Sequence, residues 1–276
     1  MRARSDRHGR LFRAYDRKVL TLPSEIVEAR EVANRLSLAL AATGSPPSKR
    51  AAFEEAVSAT LRSLDPRGVD LSAALAAPAA VTAWDLRCRV LSAAADHAAD
   101  DLDDVIRDLA DRVVTVHVTG AGRELWKRVT VAVRNLRGVN LLDQDGLIAA
   151  PESVRKSYAD LGALGETYDV LRAAYADVVP FTGQTMHDFD GDHSEVERGF
   201  CGVVPDYRRT VTAEARRWPW GDSSRERMAW FVRNDITPWW PTREARDRAY
   251  LAVHGDEVRR MQNQTMRGRM VHAMAD

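Results

Sequence analysis

The chain reads as a mainly α protein: a helical bundle with at most one short strand pair and an irregular, Trp-rich C-terminal part. Three observations predict this. Apolar residues recur at helical spacing through most of positions 24–179. Only one run, VVTVHV at 113–118, alternates and is β-branched in the manner of a strand. The joints between periodic segments are short and carry Gly and Pro, which suits neighbouring helices.

Each element has its own signal. Ser24 is placed to cap a helix carrying Ile26, Val32, Leu36 and Leu40, and Gly44 ends it. Pro46-Pro47 turns the chain, and Ser48 caps a second helix striped by Phe53, Val57, Leu61 and Leu64. So short a connection predicts an antiparallel helical hairpin. After a turn at Asp65–Gly68, a long helix is expected from about Ala79 to Arg112, with Leu91, Ala94, Ala98, Leu102, Val105 and Leu109 on one side. VVTVHV is read as one strand. Gly120 and Gly122 are then expected to turn the chain into a helix at about 123–137, and a loop follows at Asp143–Pro151. From Glu152 to Val179 the series Val154, Tyr158, Leu161, Leu164, Tyr168, Leu171, Tyr175 and Val178 predicts about seven helical turns, with a kink at Gly162 and Gly165.

The texture changes at Pro180. Residues 180–206 have the look of a long loop, and helices resume near 208–217, 223–233 and 242–266. The expected organisation is a basic N-terminal arm at 1–22, a helical core domain at 23–179, and a loop plus Trp/Arg-rich helical region at 180–276.

Composition limits the function classes. The chain has 276 residues, 45% of them apolar and 29% charged, enough for a sizeable core. Forty basic side chains balance forty acidic ones, which argues against coating nucleic acid through bulk charge. The balance hides local asymmetry: Arg2, Arg4, Arg7, Arg10, Arg13, Arg17 and Lys18 crowd the N-terminus against only Asp6 and Asp16, and seven aspartates lie between 96 and 111 against Arg107 alone. Cys88 and Cys201 are too few and too far apart for a disulfide framework, and Cys88 is read as a small core residue. No apolar run of about 18 residues occurs, so no membrane span is expected. With no apolar stretch behind the N-terminal arginines, a cytoplasmic location is expected.

Four stretches carry chemistry. HDFDGDHSEVE, 187–197, packs potential metal ligands most densely. Asp188, Asp190 and Asp192 have the alternating spacing that begins a calcium loop. His187, His193 and Glu195 add donors suited to zinc, manganese or iron. The second stretch is DDLDD, in which Asp100 and Asp104 share one helix face beside Asp101. It resembles the aspartate-rich motif of class I terpene and prenyl-diphosphate synthases, which implies carboxylates holding magnesium against a diphosphate. The third is VHVTGAGRELW, 116–126. Its TGAG resembles the start of short-chain dehydrogenases and implies a nucleotide phosphate on backbone amides.

The fourth stretch is the Trp/Arg region. Trp218, Trp220, Trp230, Trp239 and Trp240 stand among Arg216, Arg217, Arg225, Arg227 and Arg233. Both residue types are enriched at interface hot spots, so a protein partner or self-assembly is expected there. The N-terminal arm offers a less favoured contact with nucleic acid. No GxSxG, HExxH or Walker pattern occurs. The expected function is therefore a structural or interaction protein within a larger assembly, a phage-like or injection-machine component being one that would fit. The alternative is a metal-dependent enzyme using an acidic/His cluster with Mg, Mn, Ca or Zn, acting on a diphosphate.

Overall fold

The computed structural model describes residues 8–62, 72–136, 138–141, 143–182, 224–249 and 252. Among them there is no strand, and the chain is mainly helical. It divides into two compact units: Met1–Asp6 with Ser24–Ile106, and Arg7–Pro23 with Arg107–Asp276.

The first unit holds α2 (Ser24–Ala41), α3 (Lys49–Arg62) and most of α4 (Ser72–Arg112). Gly44, at φ +65°, turns the chain after α2. The Ser48 hydroxyl accepts from the Ala51 amide at 3.0 Å, capping α3 as its position predicts. In the first half of α4, Trp84 Nε1 donates to the Thr43 carbonyl at 3.1 Å, and Cys88 Sγ lies 3.5 Å from Thr43 Oγ1. Cys88 is thus half-buried rather than a core residue. α4 starts earlier than Ala79, at Ser72, with Pro78 inside it.

The second unit is built on α7 (Glu152–Val178), against which α1 (Gly9–Asp16), α5 (Thr119–Asn135) and α8 (Ser224–Arg233) all pack. Its buried residues Val154, Leu161, Leu164, Tyr168, Leu171, Tyr175 and Val178 follow the helical series of the sequence. Residues 8–22 of the basic arm are held by the chain itself. Leu11, Phe12 and Ala14 are buried, and Arg10, Arg13 and Arg17 face outward. Asp177 Oδ2 accepts from the amides of Arg10 and Leu11 at 3.0 and 3.1 Å, so a carboxylate of α7 satisfies the N-terminus of α1. Lys18 ends α1 in the left-handed region, at φ 56°.

The strand expected at 113–118 is instead a π-helix, Val113–Val118, continuous with α4 and α5. β-Branching is a weak local preference, and two flanking helices override it. Val113, Val114 and Val118 are buried, while the Thr119 amide and hydroxyl both reach the Val114 carbonyl five residues back. The glycine turn expected at 120–122 is likewise absent, because both glycines lie inside α5. The loop expected at 143–151 contains α6 (Gln144–Ala149), capped by Asp143 Oδ1 accepting from the Gly146 amide at 2.9 Å. Residues 179–181 form one 3-10 turn, and residues 243–249 are helical.

Candidate functional site

The centre of the second unit is an aromatic clamp on the segment after α8. That helix stops at Arg233 because Asp235 takes the left-handed conformation (φ 53°) and Ile236 N donates back to the Phe231 carbonyl at 2.8 Å. The following Pro238-Trp239-Trp240-Pro241 then lies along α5 and α7. The Arg172 guanidinium stacks 3.9 Å above the Trp240 ring, and the rings of Tyr168, tilted, and Tyr175, edge-on, each lie 5.7 Å from it. Arg172 also donates to the Trp239 carbonyl at 3.0 Å, and the Tyr175 hydroxyl donates to the Pro241 carbonyl at 2.7 Å. Burial pushes the Tyr175 phenol up to about 12, against the pull of the Arg172 and Arg246 cations.

Glycines admit these contacts. A Cβ at Gly122 would come within 3.0 Å of Trp240 Nε1. Gly122, the second glycine of TGAG, is thus a seat for an indole ring. On α7, Gly165 and Gly162 let the start of α8 approach: a Cβ at 165 would lie 2.6 Å from Ser224 Cβ, and one at 162 would lie 2.5 Å from Arg225 Nε. The two glycines serve packing within one continuous helix. Beside them the Ser224 hydroxyl donates to Asp169, Arg227 pairs with Asp169 at 3.2 Å, and Arg225 stacks 4.5 Å over Tyr158.

A groove opens between this clamp and the outer face of α5. It encloses about 620 Å³, and Trp126, Val131, Pro238 and Trp239 form its apolar lining. Arg123, Lys127 and Arg134 form its rim. A second hollow of about 440 Å³ shares Trp126, Thr130, Arg134 and Thr237 with it and continues toward Arg233 and the carboxylate of Asp235. The sequence hides this site because its cations lie on α5, away from the Trp/Arg cluster. Their spacing opposite the buried Leu125, Val129 and Val133 was the available signal.

The sequence-predicted residues fall in several places. Trp240 is buried in the clamp, while Trp230 and Trp239 are half-exposed. Asp100, Asp101 and Asp104 lie on the exposed side of α4, where His97 Nε2 approaches Asp101 at 3.9 Å. Among the described residues no group of three or more His, Cys, Asp or Glu is arranged to hold a metal. His187, Asp188, Asp190, Asp192, His193, Glu195, Arg216, Arg217, Trp218, Trp220 and Cys201 lie outside the described residues.

The first unit presents a different feature. Of the ten large apolar side chains exposed among the described residues, seven belong to it: Val32, Leu38, Phe53, Val57, Leu75, Leu86 and Val90. Phe53 and Val57, read from sequence as a core stripe, are thus exposed. No α3 residue whose side chain is described is buried. On α4, Leu75, Ala79, Ala83, Leu86, Val90 and Ala93 form one exposed line at three- and four-residue steps.

No protein-family model, curated protein or solved structure matches this chain. No helix among the described residues is long and apolar enough to cross a membrane.

Proposed function

We propose that the protein is an interaction subunit of a larger assembly, and that its first unit supplies the contact. The exposed apolar line on α4 carries this reading. Leu75 is 78% exposed and Leu86 62%, on a helix whose other side already buries Ala98 and Leu102. A row of this kind on a free monomer costs solubility and contributes nothing to stability. Covering it with another subunit removes it from water at about 25 cal/mol per Å².

α3 points the same way. A helix of about 14 residues is marginal in water unless it buries a face, yet Phe53 is 65% exposed. Both helices therefore have most to gain from a partner.

The experiment is a charge substitution on the line. Leu86→Glu with Val90→Glu is expected to release the chain from its assembly and leave its melting temperature nearly unchanged. Retention of full assembly by this double variant contradicts the proposal.

A further inference from the structure

The α5 groove lies wholly in the second unit, and its chemistry specifies an occupant. The floor is apolar and the rim is cationic. Lys127 pairs with Glu124 at 2.7 Å, whereas Arg123 and Arg134 meet no carboxylate among the described residues. Thr130 and Thr119, also in the lining, spend their hydroxyls on the carbonyls of Trp126 and Val114. The groove therefore presents indole, aliphatic and proline surface together with guanidinium groups that pair with no carboxylate among the described residues.

We propose that this groove binds an extended acidic peptide segment of a partner protein, in which carboxylates alternate with apolar side chains. The spacing supports an extended chain. Arg123 and Lys127 are one helical turn apart, about 6 Å along the axis. Alternate residues of a strand are about 6.6 Å apart and point the same way. One face of the peptide thus carries its acids along the cationic rim, and the other sets apolar groups against Trp126, Val131 and Trp239. A single-stranded nucleic acid fits less well. It needs a longer cationic track than these few side chains provide, and the chain has no net charge.

The test uses the full chain and a short labelled peptide of alternating glutamate and phenylalanine, followed by fluorescence anisotropy. The matched lysine–phenylalanine peptide and an oligothymidylate serve as competitors for the assignment. Saturable binding of the glutamate peptide alone is expected. Arg123→Glu with Lys127→Glu should weaken it by about tenfold or more. Val131→Glu, at an exposed position of the apolar lining, should weaken it without disturbing the fold. Circular dichroism checks that both variants fold, since all three side chains are exposed. Equal binding of the lysine peptide, unchanged affinity in both variants, or no binding overturns the proposal. Tighter binding of oligothymidylate also overturns it and assigns the groove to nucleic acid.

Discussion

Gly122 and Trp240 occupy the same space: the indole nitrogen lies where a side chain at position 122 would begin. The ring is held from its other sides by Arg172, Tyr168 and Tyr175, so it has little room to retreat. Gly122→Ala is therefore expected to destabilise the protein by about 1–3 kcal/mol, the cost of overpacking a filled site. Gly120, two residues earlier on the same helix, has nothing within 4 Å of a would-be Cβ. Gly120→Ala should gain up to about 1 kcal/mol from helix propensity. Chemical denaturation of both variants checks the pair. Equal effects would mean that the ring does not depend on Gly122.

The two glycines of α7 should differ in a graded way. At Gly165 the obstacle includes Ser224 backbone at 3.2 Å, which cannot swing aside. At Gly162 it is the end of the Arg225 side chain, which can. Gly165→Ala is expected to cost about 1–3 kcal/mol and Gly162→Ala distinctly less. Melting temperatures of the two variants give the order directly.

Tyr175 couples stability to alkaline pH. Its phenol ionises at about 12 in the folded chain and at about 10 when unfolded. A raised folded value means that the stabilising contribution is whole below pH 10 and is lost as pH climbs through the folded value. Near neutrality Tyr175→Phe should cost about 1 kcal/mol, for the bond to the Pro241 carbonyl. Between pH 10 and 12 the difference between wild type and variant should shrink and then reverse, as the wild type loses about 2–3 kcal/mol. Urea titrations at several pH values measure it. A constant difference across that range would contradict the placement of the phenol.

The N-terminal helix offers a pair of opposite sign. Asp177→Ala removes the acceptor for the Arg10 and Leu11 amides and should cost about 1 kcal/mol. Lys18→Gly relieves a left-handed residue at the end of the same helix and should gain about 1 kcal/mol. Limited proteolysis of residues 8–22 should accelerate in the first variant and slow in the second.

Periodic local signals were the legible part of this fold. All of the α7 series but Tyr158 are buried, Ser48 and Gly44 marked their helix ends, and the mainly α class followed. Contacts distant in sequence were not legible. Trp240 meets Arg172 and Gly122 only after folding, so a cluster of tryptophans read as contact surface included one that is buried. VVTVHV was misread because β-branching was weighed without the two helices that flank it. Phe53 and Val57 gave a true amphipathic stripe, but periodicity says nothing about what covers it.

The assembly reading rests on the α4 line, and the native mass of the full chain purified from its own cells tests it most directly. Light scattering after size exclusion should give a mass above that of one 30.7 kDa chain, falling to a single chain in the Leu86→Glu, Val90→Glu variant. A wild-type chain that elutes alone at 30.7 kDa, identical to the variant, would contradict the account.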